Sequence, residues 1–131
     1  LSSWSFKQDI CHARTFGFLK DVEALRQAGL AQGGSLDNAI VISENGILNK
    51  GGLRYDDEFV RHKALDCIGD LYLAGNQIAG CFSGDRTGHS IHNKLLRCLF
   101  ADREAWRLVP MDELAEIPAQ HWNVESQRAI A

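Results

Sequence analysis

Residues 53–75 read LRYDDEFVRHKALDCIGDLYLAG, and this stretch determines how the rest of the chain is interpreted. The acidic run 56–58 places carboxylates where the first turn of a helix has unpaired N–H groups and a positive dipole end. Gly75 follows about five turns later, at the kind of position where glycine ends a helix. The stretch therefore predicts a helix from about Asp57 to Ala74.

One side of this predicted helix is apolar. At about 100° per residue, a single arc collects five residues that we expect to face the core: Val60, Ala64, Cys67, Ile68 and Leu71.

The opposite side carries a polar stripe made of His62, Asp66 and Asp70, spaced four residues apart. Residues with this spacing lie on successive turns of one face, so an imidazole and a carboxylate there can bind a single cation, as in many zinc hydrolases. The commoner interpretation of such a stripe is a solvated helix face. Phe59 and Leu73 place apolar bulk on this side, which favours a cover over it. The spacing alone leaves both interpretations open.

His89 is a second candidate for chemistry. It follows Gly88 at the end of the glycine-containing loop 83–88 and stands at the start of a predicted helix. Such a loop exposes N–H groups and can hold a histidine near a reacting oxygen. The plainer alternative is that His89 only caps the helix.

Outside residues 53–75, short apolar or amphipathic segments are separated by glycine-containing turns. Their residue types predict strands at 39–42, 47–48 and 78–82, and further helices at 21–28 and 90–101, the last with Ile91, Leu95, Cys98 and Leu99 along one side. Gly29 suits a left-handed helix cap, and Asn45-Gly46 suits a tight hairpin turn. Residues 3–12 are weakly helical, and residues 13–18 are too short to assign. Helices and strands mix without strict βαβ alternation, which predicts the α+β class.

Composition narrows the class of protein. With 131 residues, 45% of them hydrophobic, and a net charge of -3, the chain has the make-up of one soluble globular domain. No apolar run is long enough for a membrane span, and no basic block suggests nucleic acid as a partner. The four cysteines are widely spaced and form no C-x-x-C pair, which indicates free thiols in a reducing compartment, the cytoplasm.

Several segments together resemble one known family. They are the runs 13–18 (ARTFGF), 33–39 (GGSLDNA), 53–66 (LRYDDEFVRHKALD) with 69–71 (GDL), and Gly88-His89 with 93–96 (NKLL). In order and spacing they are similar to the UDP-3-O-acyl-N-acetylglucosamine deacetylase (LpxC) family, over a match that runs to about Trp106. The resemblance implies a zinc-dependent enzyme that removes the N-acetyl group from UDP-3-O-(hydroxyacyl)-N-acetylglucosamine, the committed step of lipid A synthesis.

The resemblance also implies a fold and the boundaries of the domain. It implies a two-layer sandwich of helices on a β-sheet, with a βαβ-type insert reaching about Ile42, as part of the second domain of a two-domain enzyme. Residues 1–109 would belong to that domain, and residues 110–131, with Pro110 and Pro118, would form an irregular tail.

Roles for individual residues follow from the same resemblance. His62 and Asp66 correspond to two of the three protein ligands of the catalytic Zn²⁺. Asp70 would hold His89, which serves as general acid or oxyanion stabiliser, and the Thr15 hydroxyl would support the oxyanion. The remaining assignments concern the substrate: Lys63 and Gly88 beside it, and Phe16 and Phe18 in the apolar passage for its acyl chain.

The family pattern extends beyond this chain. Its third zinc-binding histidine and its general-base glutamate lie in a first half, and the opening strands of the second half precede the position that aligns with Leu1. We therefore expect the chain alone to bind zinc weakly and to be inactive without the N-terminal half as partner. Within the match, His12 replaces a usual arginine and His92 a usual asparagine.

Two alternatives stay open at this point. The chain could be a non-enzymatic binding module that keeps only the substrate-binding surface, although such a module has no reason to keep His62, Lys63, Asp66, Asp70 and His89 together. A zinc site could also be completed within the chain by His89 joining His62 and Asp66.

Overall fold

A computed structural model describes residues 1–113 of the chain, so most of the predicted tail, 110–131, lies outside the described residues. The fold class is α+β, as predicted: helices accompany a small mixed sheet. The chain divides into two compact units, Leu1–Asp66 and Cys67–Ala131. In the part of the chain that the structure describes, no helix is long and apolar enough to cross a membrane.

The first unit begins with a short helical segment. Helix α1 (Ser3–Ser5) continues directly into a π-helical turn, Phe6–Ile10. Ser2 and Ser5 form a capping box, in which the Ser2 hydroxyl accepts from the Ser5 N–H at 3.1 Å and the Ser5 hydroxyl from the Ser2 N–H at 2.9 Å. This agrees with the weak helical signal of residues 3–12.

A βαβ unit follows, made of β1 (Thr15–Phe18), α2 (Leu19–Gln27) and β2 (Ala39–Ser43). The two strands pair in parallel, and Ile40 in β2 is fully buried. A Cβ added at Gly17 would lie 3.5 Å from the Val22 side chain, so α2 covers the sheet face to which position 17 points. The segment that sequence could not assign, 13–18, therefore becomes a strand because β2 provides its partner.

The turns of this unit largely follow the predictions. Helix α2 begins two residues before the predicted start, and Gly29 after it takes the predicted left-handed conformation, with φ 76°. The hairpin from β2 to β3 (Gly46–Ile47) pairs Ser43 with Gly46, so the two turn residues are 44 and 45 rather than Asn45-Gly46. Gly46, with φ 114°, instead opens β3, since only glycine adopts that conformation without strain.

Asn49 anchors the loop after β3 to the sheet. Its buried side-chain carbonyl accepts from the Val41 N–H at 3.0 Å, and its amide donates to the carbonyls of Leu36 and Ala39 at 2.7 and 2.8 Å. These bonds satisfy backbone groups that strand pairing leaves without partners.

Asn49→Ala is expected to lower the free energy of unfolding by about 2 to 3 kcal/mol, because three buried or part-buried backbone groups lose a hydrogen-bond partner. Asn45→Ala, at an exposed turn position, should change it by less than about 0.5 kcal/mol. Urea unfolding of both variants measures the difference. Equal values for the two would show that the Asn49 bonds contribute nothing to stability.

The central helix matches its predicted limits closely. Helix α3 (Glu58–Leu71) runs into a 3₁₀ turn, Tyr72–Ala74, and Gly75 ends it with φ 77°. Its burial differs from the predicted apolar arc at one end: Cys67 is buried, but Val60 is 68% exposed. Glu58 starts the His62 stripe one turn earlier and is fully buried, so in the first turns the polar stripe faces inward and Val60 faces outward.

The second unit departs from the predictions at two places. Residues 78–82 are not a strand; a strand needs a hydrogen-bonded neighbour, and the second unit offers none within the described residues. Helix α4 (His89–Ala101) forms one residue earlier than predicted, but its buried residues are His92 and Leu96. The apolar side containing Ile91, Leu95 and Cys98 is exposed, and the side that faces inward includes His92, which bonds Asp70.

Candidate functional site

His62 and Asp66 lie on consecutive turns of α3 with their polar atoms facing each other. His62 Nε2 is 3.4 Å from Asp66 Oδ1, and the two side chains are only 15% and 19% exposed. His62 Nδ1 lies 3.2 Å from the Ala13 carbonyl oxygen, which can only accept, so Nδ1 carries the proton. The Nε2 lone pair is thereby directed towards the carboxylate side.

This donor set fits a zinc ion. Two ligands about 2.1 Å from a tetrahedral ion lie about 3.4 Å apart, which is the spacing found between His62 Nε2 and Asp66 Oδ1. A metal-binding histidine usually donates its other ring N–H to a carbonyl or carboxylate, and Ala13 provides that acceptor. Because the His62 and Asp66 side chains are only 15% and 19% exposed, this part of the polar stripe is not a solvated helix face.

Aromatic residues cover this part of α3. The Phe16 ring packs edge-on against Phe59, with 4.8 Å between centroids, and lies 6.1 Å from the His62 ring. The Lys63 ammonium stands 5.8 Å from the Phe16 ring centre. The structure thus brings together Phe16, His62 and Lys63, three of the residues predicted for the site. Phe16 covers Phe59 as the sequence suggested, whereas Leu73, at the other end, is 70% exposed.

The other predicted residues of the first unit lie on the same strand. Phe18 is 53% exposed and shares the face of Phe16, since side chains two apart on a strand point the same way. Their cross-strand partners are Ile40 and Ile42, so this face of the sheet is apolar. Thr15 is exposed at the start of β1, and no hydrogen bond of its hydroxyl is found among residues 1–113.

A buried ion pair fixes β1 against α3. The Glu58 carboxylate accepts from the Arg14 Nε, Nη2 and backbone N–H at 2.8, 2.9 and 3.0 Å, and from the Arg54 N–H at 2.6 Å. The hydrogen bond from the Arg14 side chain is the main reason that the pKa of Glu58 falls to about 2. Arg14 precedes Thr15 and Glu58 lies one turn before His62, so this pair positions the site. Sequence reasoning treated Glu58 only as a helix-start acid; its four-residue spacing to His62 was the available signal.

The second unit contains a carboxylate shared by two histidines. Asp70 Oδ2 lies 2.7 Å from His89 Nδ1 and 2.7 Å from His92 Nδ1. The three residues form a group that could hold a metal ion, with ligand atoms within 4.8 Å of one another. Burial raises the pKa of Asp70, but the hydrogen bonds from His92 and His89 together lower it below its ordinary value. His92 was not predicted as a site residue, since a single histidine inside a helix carries no signal.

Gly88 caps helix α4 from an extended backbone, with φ -166° and ψ 179°. Its carbonyl accepts from the N–H groups of Ile91 and His92, and a Cβ added there would meet nothing within 4 Å among the described residues. Neither backbone nor packing therefore demands glycine, and its predicted place beside a substrate stays a prediction.

Comparison with known proteins places these residues in context. Residues 1–101 match the family model described as UDP-3-O-acyl N-acetylglycosamine deacetylase. Relatives named UDP-3-O-acyl-N-acetylglucosamine deacetylase include those of Marinobacter nauticus, 55% identical over 92% of this chain, and Nitrosococcus oceani, 54% over 86%. A third, from Hahella chejuensis, is 52% identical over 92% of the chain. The matches cover only 40%, 37% and 40% of these relatives' own lengths.

Proposed function

The chain belongs to the UDP-3-O-acyl-N-acetylglucosamine deacetylase family, and from this premise we propose that it supplies part of a zinc-dependent hydrolase site. The reaction is removal of the N-acetyl group from UDP-3-O-(hydroxyacyl)-N-acetylglucosamine, in lipid A synthesis in the cytoplasm of Gram-negative cells. One observation carries the proposal: His62 Nε2 and Asp66 Oδ1 face each other at the distance expected between two ligands of one zinc ion.

In this proposal His62 and Asp66 hold the metal, and a third protein ligand comes from the part of the relatives that this chain does not match. Bound zinc in such a site polarises the amide carbonyl and acidifies a water molecule. The Ala13 carbonyl keeps the His62 ring in the metal-binding tautomer. Both side chains are mostly buried, so bulk water competes less with them for the metal.

The remaining polar residues act on the substrate. His89, held through Nδ1 by Asp70, has Nε2 as the atom that donates a proton or hydrogen bond to the reacting group. Thr15 donates its hydroxyl to the oxyanion that develops when the amide carbonyl is attacked. Lys63, an exposed cation beside the Phe16 ring, binds the polar part of the substrate, and Gly88 is a second substrate-binding residue.

The apolar face of the βαβ unit is suited to the fatty acyl chain. Phe16 and Phe18 on β1 stand beside Ile40 and Ile42 on β2, on the face away from α2. Phe18 is 53% exposed, a large apolar surface that an acyl chain would remove from water.

With a polypeptide corresponding to the unmatched part of the relatives supplied, Phe18→Ala is expected to raise the KM for a long-acyl substrate about tenfold, because roughly 1.4 kcal/mol of apolar contact is lost. The KM for a short-acyl analogue should stay unchanged. Leu30→Ala, which removes a side chain 57% exposed in a loop, is the matched control. A KM that changes equally for both substrates would argue against an acyl passage at Phe18.

The decisive experiment measures zinc and acetate together. Zinc per chain is determined by elemental analysis after dialysis, and acetate release from UDP-3-O-(hydroxyacyl)-N-acetylglucosamine is assayed, with the chain alone and with a polypeptide corresponding to the unmatched part of the relatives. We expect little zinc and no acetate from the chain alone, and stoichiometric zinc with turnover from the mixture. Turnover by the chain alone would contradict the missing-partner proposal, and absence of zinc and turnover in both would leave only a binding module.

A further inference from the structure

Among residues 1–113, His92 and Glu58 are the polar residues with no exposed surface, and the proposed reaction gives His92 no role. It lies on α4 one turn after His89, and both rings reach the same oxygen of Asp70, at 2.7 Å each. The other ring nitrogen, Nε2, lies 3.0 Å from the Thr87 hydroxyl, and Phe82 packs edge-on against the ring at 5.7 Å.

The pattern of donors in this group is determined by chemistry. An ionised carboxylate only accepts, so both Nδ1 atoms that contact Asp70 Oδ2 carry protons. The other ring nitrogen, Nε2, bonds the Thr87 hydroxyl, which can donate or accept. Every polar atom of the buried ring is therefore used, and the orientation of His92 is fixed from both ends.

The two histidines differ sharply in exposure. The His89 side chain is 72% exposed, whereas the His92 side chain is 0% exposed, and Asp70 between them is 20% exposed. A residue that touches substrate must be accessible, and His92 is not. A buried, doubly bonded ring can instead hold the carboxylate in one orientation for its exposed neighbour.

We propose that His92 is a positioning residue: it anchors Asp70 so that Asp70 keeps the proton of His89 on Nδ1 and directs His89 Nε2 outward. The effect of His92 on catalysis rests on the proposed role of His89 in deacetylation. The positioning of Asp70 and His89 by His92 is independent of that role. The chain Thr87, His92, Asp70, His89 is a line of hydrogen bonds with one buried end and one exposed end. Such outer partners typically change activity by about 10- to 100-fold when lost.

The test compares two substitutions that each keep one half of the ring's hydrogen bonding. His92→Asn places an amide donor near the position of Nδ1 and can still bond Asp70, whereas His92→Gln reaches towards Thr87 and loses the Asp70 bond. The full 131-residue chain, labelled with ¹⁵N-histidine and free of zinc and substrate, is studied by NMR. The measured quantity is the tautomer of His89, read from its two ring nitrogen shifts.

We expect neutral His89 to be protonated on Nδ1 in the parent chain and in His92→Asn, and to lose that preference in His92→Gln. In an Asp70→Asn background, His92→Gln should have no further effect on the His89 tautomer, because the carboxylate through which His92 acts on His89 is already absent. Retention of the Nδ1 tautomer in His92→Gln would overturn the proposal, as would its loss in His92→Asn.

Thr87→Val provides a second approach if His92→Gln unfolds, which thermal unfolding reveals. Without the Thr87 hydroxyl, the His92 ring is held at Nδ1 only, so its hold on Asp70 should loosen and the preference of His89 for the Nδ1 tautomer should weaken. An unchanged His89 tautomer in folded Thr87→Val overturns the proposal. Since the readout needs neither metal nor turnover, failure of the deacetylase assay leaves this result intact, and the reverse also holds.

Discussion

Replacing Glu58 with alanine is expected to lower the free energy of unfolding by about 3 to 5 kcal/mol, the range for breaking a buried ion pair from one side. Arg14, 9% exposed at its side chain, would keep its charge without the carboxylate. The N–H groups of Arg14 and Arg54 would lose their acceptor as well. Because a small domain has only about 5 to 15 kcal/mol in total, the first unit should be close to unfolding.

Urea unfolding at neutral pH measures this loss against two further variants. Asp9→Ala removes the acid of an exposed ion pair with Arg61, 3.8 Å long, and should cost less than about 1 kcal/mol. Glu58→Gln keeps the shape and one acceptor oxygen, so it should fall between the two. If Glu58→Ala costs no more than Asp9→Ala, the buried pair does not hold β1 to α3.

The Glu58 carboxylate also makes the free energy of unfolding depend on pH. The pKa of Glu58 is lowered from 4.5 to about 2, so its contribution is complete above pH 4.5 and is lost as the pH falls towards 2. A shift of this size corresponds to about 3 kcal/mol. The free energy of unfolding should therefore be measured at pH 6 and at pH 2.5. It should fall more in the parent chain than in Glu58→Gln, because the variant has no carboxylate at this position to protonate.

Local signals in the sequence predicted most helices and turns of this fold. Acidic residues at one end and Gly75 at the other defined α3, and Gly29 was recognised as the left-handed residue after α2, because caps depend on residues close in sequence. Strands were harder, since a strand is stable only beside another strand. Residues 15–18 became β1 by pairing with β2, and residues 78–82, which have no such partner in the described part of the chain, did not form a strand.

The sequence proposes the residues of the candidate site, but it does not predict their burial. The spacing of His62, Asp66 and Asp70 is a local property, and the resemblance to a family added their roles. Which helix side faces inward depends on distant partners: Arg14, which buries Glu58, is 44 residues away. His92 likewise reaches Asp70 across 22 residues, and no pattern within one helix reveals that contact.

His62→Ala is expected to weaken zinc binding by more than about 100-fold, exceeding the 10- to 100-fold typical of losing an outer partner of a ligand. His62 supplies the ring nitrogen that faces Asp66 Oδ1 at 3.4 Å, and no neighbouring group takes its place in the proposed site. Competition with a chromophoric chelator measures the zinc affinity of the chain mixed with the polypeptide that corresponds to the unmatched part of the relatives, and urea unfolding confirms that the variant is folded.

Two variants decide whether the loss is specific to that site. His12→Ala removes an exposed histidine of the same unit and should leave zinc affinity unchanged. Asp66→Asn keeps the size of the side chain but removes its charge, so it should also weaken binding strongly. If zinc binding instead survives both His62→Ala and Asp66→Asn but is lost in His89→Ala, the ion is held by the Asp70, His89 and His92 group, and the 3.4 Å spacing in α3 has no part in binding it. Equal losses in His62→Ala and His12→Ala would mean that zinc binds histidines at the surface without a defined site.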